Sequence, residues 1–165
     1  MKSDFSSLAF AVRQNIVASG VSISLGHAQQ LLAASLGYSS LAAIQASTEE
    51  APGIVGADFV ILDVAGLSAR AASLGYGAAL DQIIDVIATT IKNDPEPPLV
   101  FLTPLDFIED VAGQFANDTV MDHDAVSSAA AETNAYFDEA YLEATEPDEA
   151  LKDCREFWEI PIEGN

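Results

Sequence analysis

Carboxylate side chains are concentrated in the second half of this chain. Between Lys92 and Glu163 there are 19 Asp and Glu residues, opposed by Lys92, Lys152 and Arg155, so this segment carries −16 of the formal net charge of −20. Disordered acidic segments combine a high net charge with few apolar residues, whereas half of this chain is apolar and its mean hydropathy is positive. We therefore expect a folded protein that carries these carboxylates on its surface.

The length of 165 residues is enough for one domain with its own core, and for little more. We predict a single domain over residues 1–165, with an N-terminal three-helix subregion at 1–48 and an acidic α+β subregion at 53–165. Cys154 is the sole cysteine, which excludes an internal disulfide and favours a reducing, cytoplasmic location.

The N-terminus and the charge balance limit the expected partners. The sequence begins MKSDFSSLAF and reaches polar Arg13, Gln14 and Asn15 before any long apolar run, a layout unlike that of a signal peptide. No stretch has the length of a membrane span. A chain this acidic is repelled by anionic membranes and by nucleic acid phosphates. We therefore expect no membrane partner and no direct contact with DNA or RNA.

Apolar residues at helical spacing predict three helices near the N-terminus. The first spans residues 4–19, and Asp4 can cap its start. The second spans residues 24–37, and a third, capped by Ser39 or Ser40, follows. Together these segments predict a compact three-helix unit.

The hexamer AASLGY occurs twice, at Ala33–Tyr38 and at Ala71–Tyr76. A left-handed glycine followed by an apolar residue, here Gly37 and Tyr38, is typical of a Schellman helix ending. The residues upstream of the two copies differ, and a repeat array needs about three units to be stable. We interpret the hexamer as the same helix ending used twice.

The middle of the chain predicts a strand that leads into two helices. Residues 57–63 contain the short, apolar run FVILD, which predicts a buried strand, and helical spacing resumes over 66–74. A longer helix is predicted over 77–91. Three prolines then interrupt helical structure within residues 93–98.

A second strand and two further helices are predicted beyond that break. The strand spans Leu99–Leu102, after which Thr103 can cap a helix that starts at Pro104. Another helix is predicted over Asp122–Asn134. The residues of the first of these helices that we expect to face inward are Leu105, Ile108, Val111, Ala112 and Phe115.

The C-terminal segment FWEIPIEG, residues 157–164, alternates apolar and polar residues, which predicts a half-buried strand. Pro161 makes it an edge strand. Its expected partner is 135–144, which could equally extend the preceding helix because Phe137 and Tyr141 are four residues apart; we favour a hairpin. The predicted fold is α+β, a helix-dominated single domain with an N-terminal three-helix unit and a small antiparallel sheet that includes the C-terminal edge strand.

The segment ISLGHAQQLLAASLGYSSLAAI, Ile23–Ile44, resembles the short helical domain that accompanies bacterial glyoxalase-related proteins. That domain's pattern runs roughly ISHSQALDLIARALGFKNWNAL and aligns with this segment without gaps. Leu25, His27 and Leu41 stand where the pattern has His, Gln and Trp. The resemblance implies a helix pair over residues 22–46 and an accessory or docking role, and it carries over no active site. The matching residues are Ile23, Ser24, Ala28, Leu31, Ala33, Leu36, Gly37 and Ala43.

Candidate catalytic or metal-binding groups are few. Asp122, His123 and Asp124 are adjacent, so on a helix they point about 100° apart and do not converge on one ion; capping is the better interpretation. His27 lies near a predicted helix start, and Cys154 lies among carboxylates that oppose formation of the thiolate. The sequence has no Walker loop, GxGxxG turn, GxSxG elbow or CxxC pair. We predict no catalytic site, no metal and no cofactor.

The charge asymmetry predicts a non-enzymatic interaction protein whose acidic half binds a basic protein surface. In its sharpest form this is a nucleic-acid mimic that inhibits a nucleic-acid-binding protein. The alternative is an accessory or structural protein that docks or forms a homodimer through alanine-rich faces of its N-terminal helices, at Ala33, Ala34, Ala42 and Ala43, with acidity serving only solubility. A third option is an enzyme with an unrecognised carboxylate site. The predicted partner contacts are Asp106, Glu109, Asp110, Asp118, Asp138, Glu139, Glu143, Glu146, Asp148 and Glu149.

Overall fold

The chain is a helix-dominated α+β protein that divides into two compact units, Met1–Thr103 and Pro104–Asn165. The units part after Thr103, whereas the sequence placed the start of the acidic subregion at residue 53. The single domain over 1–165 stays a prediction. The computed structural model describes residues 4–46, 57–113, 118–119, 128, 142–144 and 162–164.

Three helices open the first unit, as the apolar spacing predicted. They are α1 at Phe5–Ala18, α2 at Leu25–Ser35 and α3 at Leu41–Ala46. Asp4 caps α1, because its carboxylate accepts a hydrogen bond of 2.7 Å from the N–H of Ser7. This bond satisfies one of the N–H groups that the first turn of a helix leaves without an intrahelical partner.

Hydroxyl groups cap the next two helices in the same way. The Ser24 Oγ accepts a hydrogen bond from the N–H of His27 at 3.2 Å, and the Ser40 Oγ accepts one from Ala43 at 3.1 Å. The sequence left Ser39 and Ser40 open as the cap of α3, and in the structure the capping residue is Ser40. The starts of α1, α2 and α3 are therefore fixed by local side chains.

Both copies of AASLGY end a helix with the same backbone geometry. The glycine has a positive φ in each copy, 81° at Gly37 and 83° at Gly75. The N–H of the following tyrosine bonds to the carbonyl five residues earlier, at 3.0 Å in the first copy and 2.8 Å in the second. These are the hydrogen bonds of a Schellman motif, and they confirm that the hexamer is one helix ending used twice.

The remainder of the first unit forms a strand, two helices and a second strand. These are β1 at Phe59–Ile61, α4 at Val64–Ser73, α5 at Leu80–Lys92 and β2 at Leu99–Phe101. A short 3₁₀ turn leads into α5. All four elements lie within or beside the segments that the sequence predicted for them.

The two strands of this unit pair in parallel, with Val60 opposite Val100. The predicted antiparallel sheet is therefore wrong for this pair. Two helices connect β1 to β2, and a crossover of this length brings the second strand back in the same direction as the first. A two-residue hairpin turn would have made the pair antiparallel, but the connection from β1 to β2 is much longer.

The core of the first unit lies between its helices and the inner face of the strand pair. α1 packs against α2 and α5, and α2 packs against α4. Backbone hydrogen bonds tie the start of α4 to its neighbours, because Asp63 N–H donates to the Ser35 carbonyl at 2.8 Å and Leu62 N–H to the Phe101 carbonyl at 2.9 Å. The largest fully buried apolar side chains here are Val12, Ile16, Leu31, Leu32, Leu67, Ile83, Ile87 and Ile91.

The second unit begins with α6 at Pro104–Phe107, which continues as a π-helical turn over Ile108–Ala112. Ile108 is fully buried, as predicted, but Leu105 is 40% exposed and Phe107 is buried in its place. The prediction assumed one continuous helix with 3.6 residues per turn, whereas α6 has only four residues before the π-helical turn begins. The inward prediction is therefore wrong for Leu105.

Two short strands of the second unit, β3 at Leu142–Ala144 and β4 at Ile162–Gly164, pair antiparallel. β3 occupies the last three residues of the segment 135–144, for which the sequence left helix and strand open. The predicted helix at 122–134 and the edge proline Pro161 lie outside the described residues.

Candidate interaction surface

The boundary between the two units also divides the charge. The unit Pro104–Asn165 holds 17 Asp and Glu residues against Lys152 and Arg155, which gives a formal charge of −15. The unit Met1–Thr103 holds nine Asp and Glu residues against four Lys and Arg, which gives −5. Three quarters of the net charge therefore belongs to the smaller unit.

Three of the predicted contacts lie close together on the helix that opens the acidic unit. Asp106, Glu109 and Asp110 lie within five consecutive residues, Asp106 in α6 and the other two in the π-helical turn that follows, and all three are exposed. Pro104 occupies the first position of this helix, where a backbone N–H would have no intrahelical partner, so the missing N–H of proline costs nothing. Phe107 and Ile108 are buried and anchor the opposite side. The three carboxylates are thus presented to solvent from an anchored helix.

The carboxylates of this face are closely spaced. Asp106 and Asp110 lie within about 6 Å of each other along the helix axis, since each residue of an α-helix advances it by about 1.5 Å and a π-helical turn advances it no further. Three carboxylates over that length stand on average about 3 Å apart. A DNA duplex carries one phosphate charge per roughly 1.7 Å of its axis. We call Asp106, Glu109 and Asp110 the α6 acidic face.

Of the remaining predicted contacts, the structure describes Asp118 and Glu143. Asp118 is exposed. Glu143 lies in β3, where the register sets it directly opposite Glu163 of β4. Like charges that face each other across a strand pair destabilise it. The predicted contacts that lie outside the described residues are Asp138, Glu139, Glu146, Asp148 and Glu149.

The sequence predicted that His27 lies near the start of a helix, but it did not predict the partner of the His27 ring. Its ring Nδ1 lies 2.9 Å from the hydroxyl of Tyr76, and the two rings meet edge to face, with 5.6 Å between centroids. Both side chains are half-buried. This partner, Tyr76, is the last residue of the second AASLGY hexamer, as Tyr38 is of the first. The pair joins α2 to the turn after α4.

The described residues offer no metal centre, because no group of three or more His, Cys, Asp or Glu among them could hold an ion. Asp122, His123, Asp124 and Cys154 lie outside those residues, so the predictions made for them stay predictions. Within the described part of the chain, no helix is both long and apolar enough to cross a membrane.

The alanine-rich faces named from the sequence are partly used inside the first unit. Ala33 and Ala34 are buried, whereas Ala42 is exposed and Ala43 is half-buried. The packing of α2 against α4 and α1 accounts for this burial. The homodimer stays a prediction, but Ala33 and Ala34 are not available to it while the unit keeps this packing.

No family model, curated protein or solved structure matches this chain. The resemblance of residues 22–46 to the helical domain of glyoxalase-related proteins therefore stays a prediction.

Proposed function

We propose that this chain is a non-enzymatic interaction protein whose acidic unit binds a basic protein surface. The observation that carries the proposal is the division of charge, −15 for Pro104–Asn165 and −5 for Met1–Thr103. A field of one sign around one part of a molecule speeds association with cationic partners and repels anionic ones.

The α6 acidic face gives the proposal a local basis. Asp106, Glu109 and Asp110 are exposed carboxylates spaced on average about 3 Å apart along the helix axis, compared with roughly 1.7 Å per charge in duplex DNA. A protein surface that binds nucleic acid displays clustered Lys and Arg. The partner that fits this face best is therefore a nucleic-acid-binding protein, and the chain would act as a nucleic-acid mimic.

Repulsion within the face is consistent with a binding role. Like charges at helical spacing of three or four residues destabilise a helix by about 0.2–0.5 kcal/mol per pair. A cationic partner would remove this repulsion when it binds. Neutralising the face removes two such pairs and is therefore expected to weaken binding while it changes stability by no more than about 1 kcal/mol.

The experiment is a pull-down from lysate at low salt, with stepwise elution by salt and, in parallel, by duplex DNA. The test variant is Asp106→Asn, Glu109→Gln and Asp110→Asn. The control variant is Asp58→Asn, Asp81→Asn and Asp85→Asn, which removes three exposed carboxylates from the first unit. Both variants change the net charge by the same amount, so general acidity cannot explain a difference between them.

The expected result is a nucleic-acid-binding partner that elutes as salt rises, is released by duplex DNA, and is lost by the test variant alone. A partner that resists salt and is recovered equally by both variants would contradict the proposal. In that case the carboxylates serve solvation only.

One observation favours the second candidate function, docking through the N-terminal helices. Phe10 and Val17 are 48% and 46% exposed, and they lie two turns apart on α1, a helix without a carboxylate. An apolar interface is insensitive to salt. Phe10→Ser and Val17→Ser would abolish a salt-resistant complex if this function holds and leave a salt-sensitive one unchanged.

A further inference from the structure

We propose a binding site for a small monocarboxylic acid in a cleft of the first unit, independent of the acidic unit. The cleft lies between the end of α2, the turn that follows it and the face of α4, and it has a volume of about 520 Å³. Its lining residues are Ala34, Gly37, Tyr38, Ser39, Asp63, Gly66, Ala69, Arg70 and Ser73.

Arg70 supplies the positive charge of the cleft. Its side chain is half-buried, and one terminal guanidinium nitrogen donates a hydrogen bond of 2.7 Å to the carbonyl of Ser39. This bond fixes one side of the guanidinium, and no other hydrogen bond engages its N–H groups among the described residues. The described residues give Arg70 no carboxylate partner, although the chain has 26 Asp and Glu residues. A guanidinium binds a carboxylate through two parallel hydrogen bonds, so a ligand carboxylate fits this position.

Small residues give the cleft its room. Ala34, Gly37, Gly66 and Ala69 line it with little or no side chain. Gly66 also lets α4 approach α2 closely, because an added Cβ would collide with the carboxylate of Asp63 and approach the Ala34 carbonyl to 3.3 Å. The result is a largely apolar floor beside one guanidinium, which suits the apolar body of an organic acid.

Hydroxyl groups add donors near the guanidinium. Tyr38 and Ser39 are among the residues that line the cleft, and each carries a hydroxyl that can donate one hydrogen bond. The Ser73 hydroxyl donates to the Arg70 carbonyl at 2.8 Å, so it offers only its lone pairs. Donors therefore gather where the carboxylate of the ligand would lie.

Asp63 limits the charge that the ligand can carry. Its carboxylate caps α4 by accepting a hydrogen bond from Gly66 N–H at 2.7 Å, and it lies two turns, or about 10 Å along the helix, from Arg70. The Asp63 charge also offsets the positive end of the α4 dipole, which would otherwise attract phosphate. A single carboxylate at Arg70 is tolerated, whereas a dianion such as phosphate is repelled.

The test is a titration of the ¹⁵N-labelled full chain with sodium acetate and, separately, with inorganic phosphate, at constant ionic strength. Acetate is expected to cause saturable shifts of the amide signals of residues 37–40 and 63–70. Arg70→Gln should weaken this binding about tenfold or more, since a charged hydrogen bond contributes about 1.5–3 kcal/mol. Arg13→Gln removes the half-buried arginine of α1 and should leave it unchanged.

Asp63→Asn tests the selectivity. Asparagine keeps the helix cap but removes the charge, so phosphate binding should rise relative to acetate. Equal binding of acetate and phosphate by the native chain would overturn the proposed preference. Shifts that do not saturate, or that persist in Arg70→Gln, would overturn the site itself. The amide spectrum of each variant shows whether it is folded.

Discussion

The hydroxyl of Tyr76 lies 2.9 Å from Nδ1 of His27, 49 residues earlier in the chain. Tyr76 follows the glycine that ends α4, and His27 lies in the first turn of α2. The corresponding tyrosine of the other hexamer, Tyr38, lines the cleft beside α4. Two helix endings of identical sequence thus place their tyrosines in different surroundings, because the neighbouring helices differ.

The first prediction concerns this hydrogen bond. Tyr76→Phe keeps the edge-to-face ring contact but removes the hydroxyl, so the free energy of unfolding should fall by about 0.5–1.5 kcal/mol. Tyr38→Phe is the matched control, and it should change stability little. Urea denaturation measures both. Equal effects of the two variants would mean that the His27 bond contributes nothing.

The second prediction concerns the glycine at the end of α2. Gly37 has a φ of 81°, and a Cβ in this left-handed region costs about 1–2 kcal/mol. Gly37→Ala should therefore lower the free energy of unfolding by about that amount. Gly26 lies within the same helix with open space around it, so Gly26→Ala should raise stability by about 0.5–1 kcal/mol. Thermal unfolding should show shifts of opposite sign, and shifts of the same sign would contradict the prediction.

The third prediction concerns the packing of α5. Ile87 is fully buried in the core, whereas Ile84 on the same helix is only partly buried. Ile87→Ala should lower the free energy of unfolding by about 2–5 kcal/mol through lost burial and the cavity it leaves. Ile84→Ala should cost clearly less. Denaturant titration of both variants measures the difference, and a reversed order would show that α5 packs through its other face.

The fourth prediction concerns the pH dependence of α1. The pKa of Asp4 lies below its usual value, chiefly because the backbone N–H of Ser7 donates to its carboxylate, with further help from the Ser7 hydroxyl and the Ser6 N–H. A carboxyl whose pKa is lowered by folding contributes its stability above the pKa of the unfolded state. That contribution is lost as the pH falls through the lower pKa of the folded state.

The measurement is an NMR titration of the Asp4 carboxyl together with the Ser7 amide. Both signals should titrate together, below the pKa of an aspartate in an unstructured peptide. In Asp4→Asn the cap remains but does not ionise, so the Ser7 amide should lose this transition. A normal Asp4 pKa would show that the cap does not form in solution.

Helix positions in the first unit were predictable from the sequence because their signals are local. The Asp4 and Ser24 caps and the Gly37 ending act within a few residues of where they stand in the chain. The acidic character of the second half was also visible, and Asp106, Glu109 and Asp110 were named because they lie on predicted polar faces or loops. The role of Asp63 as the cap of α4 was missed, because the apolar run before it assigned it to the strand.

Strand direction and the partners of side chains could not be predicted in this way. β1 and β2 can pair in parallel because α4 and α5 lie between them in the chain and bring it back to the end of the strand pair at which β1 begins. The π-helical turn that follows α6 was likewise not revealed by apolar spacing. The cleft at Arg70 is lined by residues from separate parts of the chain, such as Ser39 and Arg70, which are 31 positions apart.

By itself, the sequence determined where most helices of the first unit begin and end, how the two AASLGY hexamers fold and where the charge lies. Those properties depend on caps, glycines and residue types that act over a few neighbouring positions. Only the tertiary structure decided that Tyr76 meets His27, that Arg70 spans a cleft and that the first strand pair is parallel. Such contacts depend on which helices pack together, and that choice is made by burial of apolar surface across the whole unit.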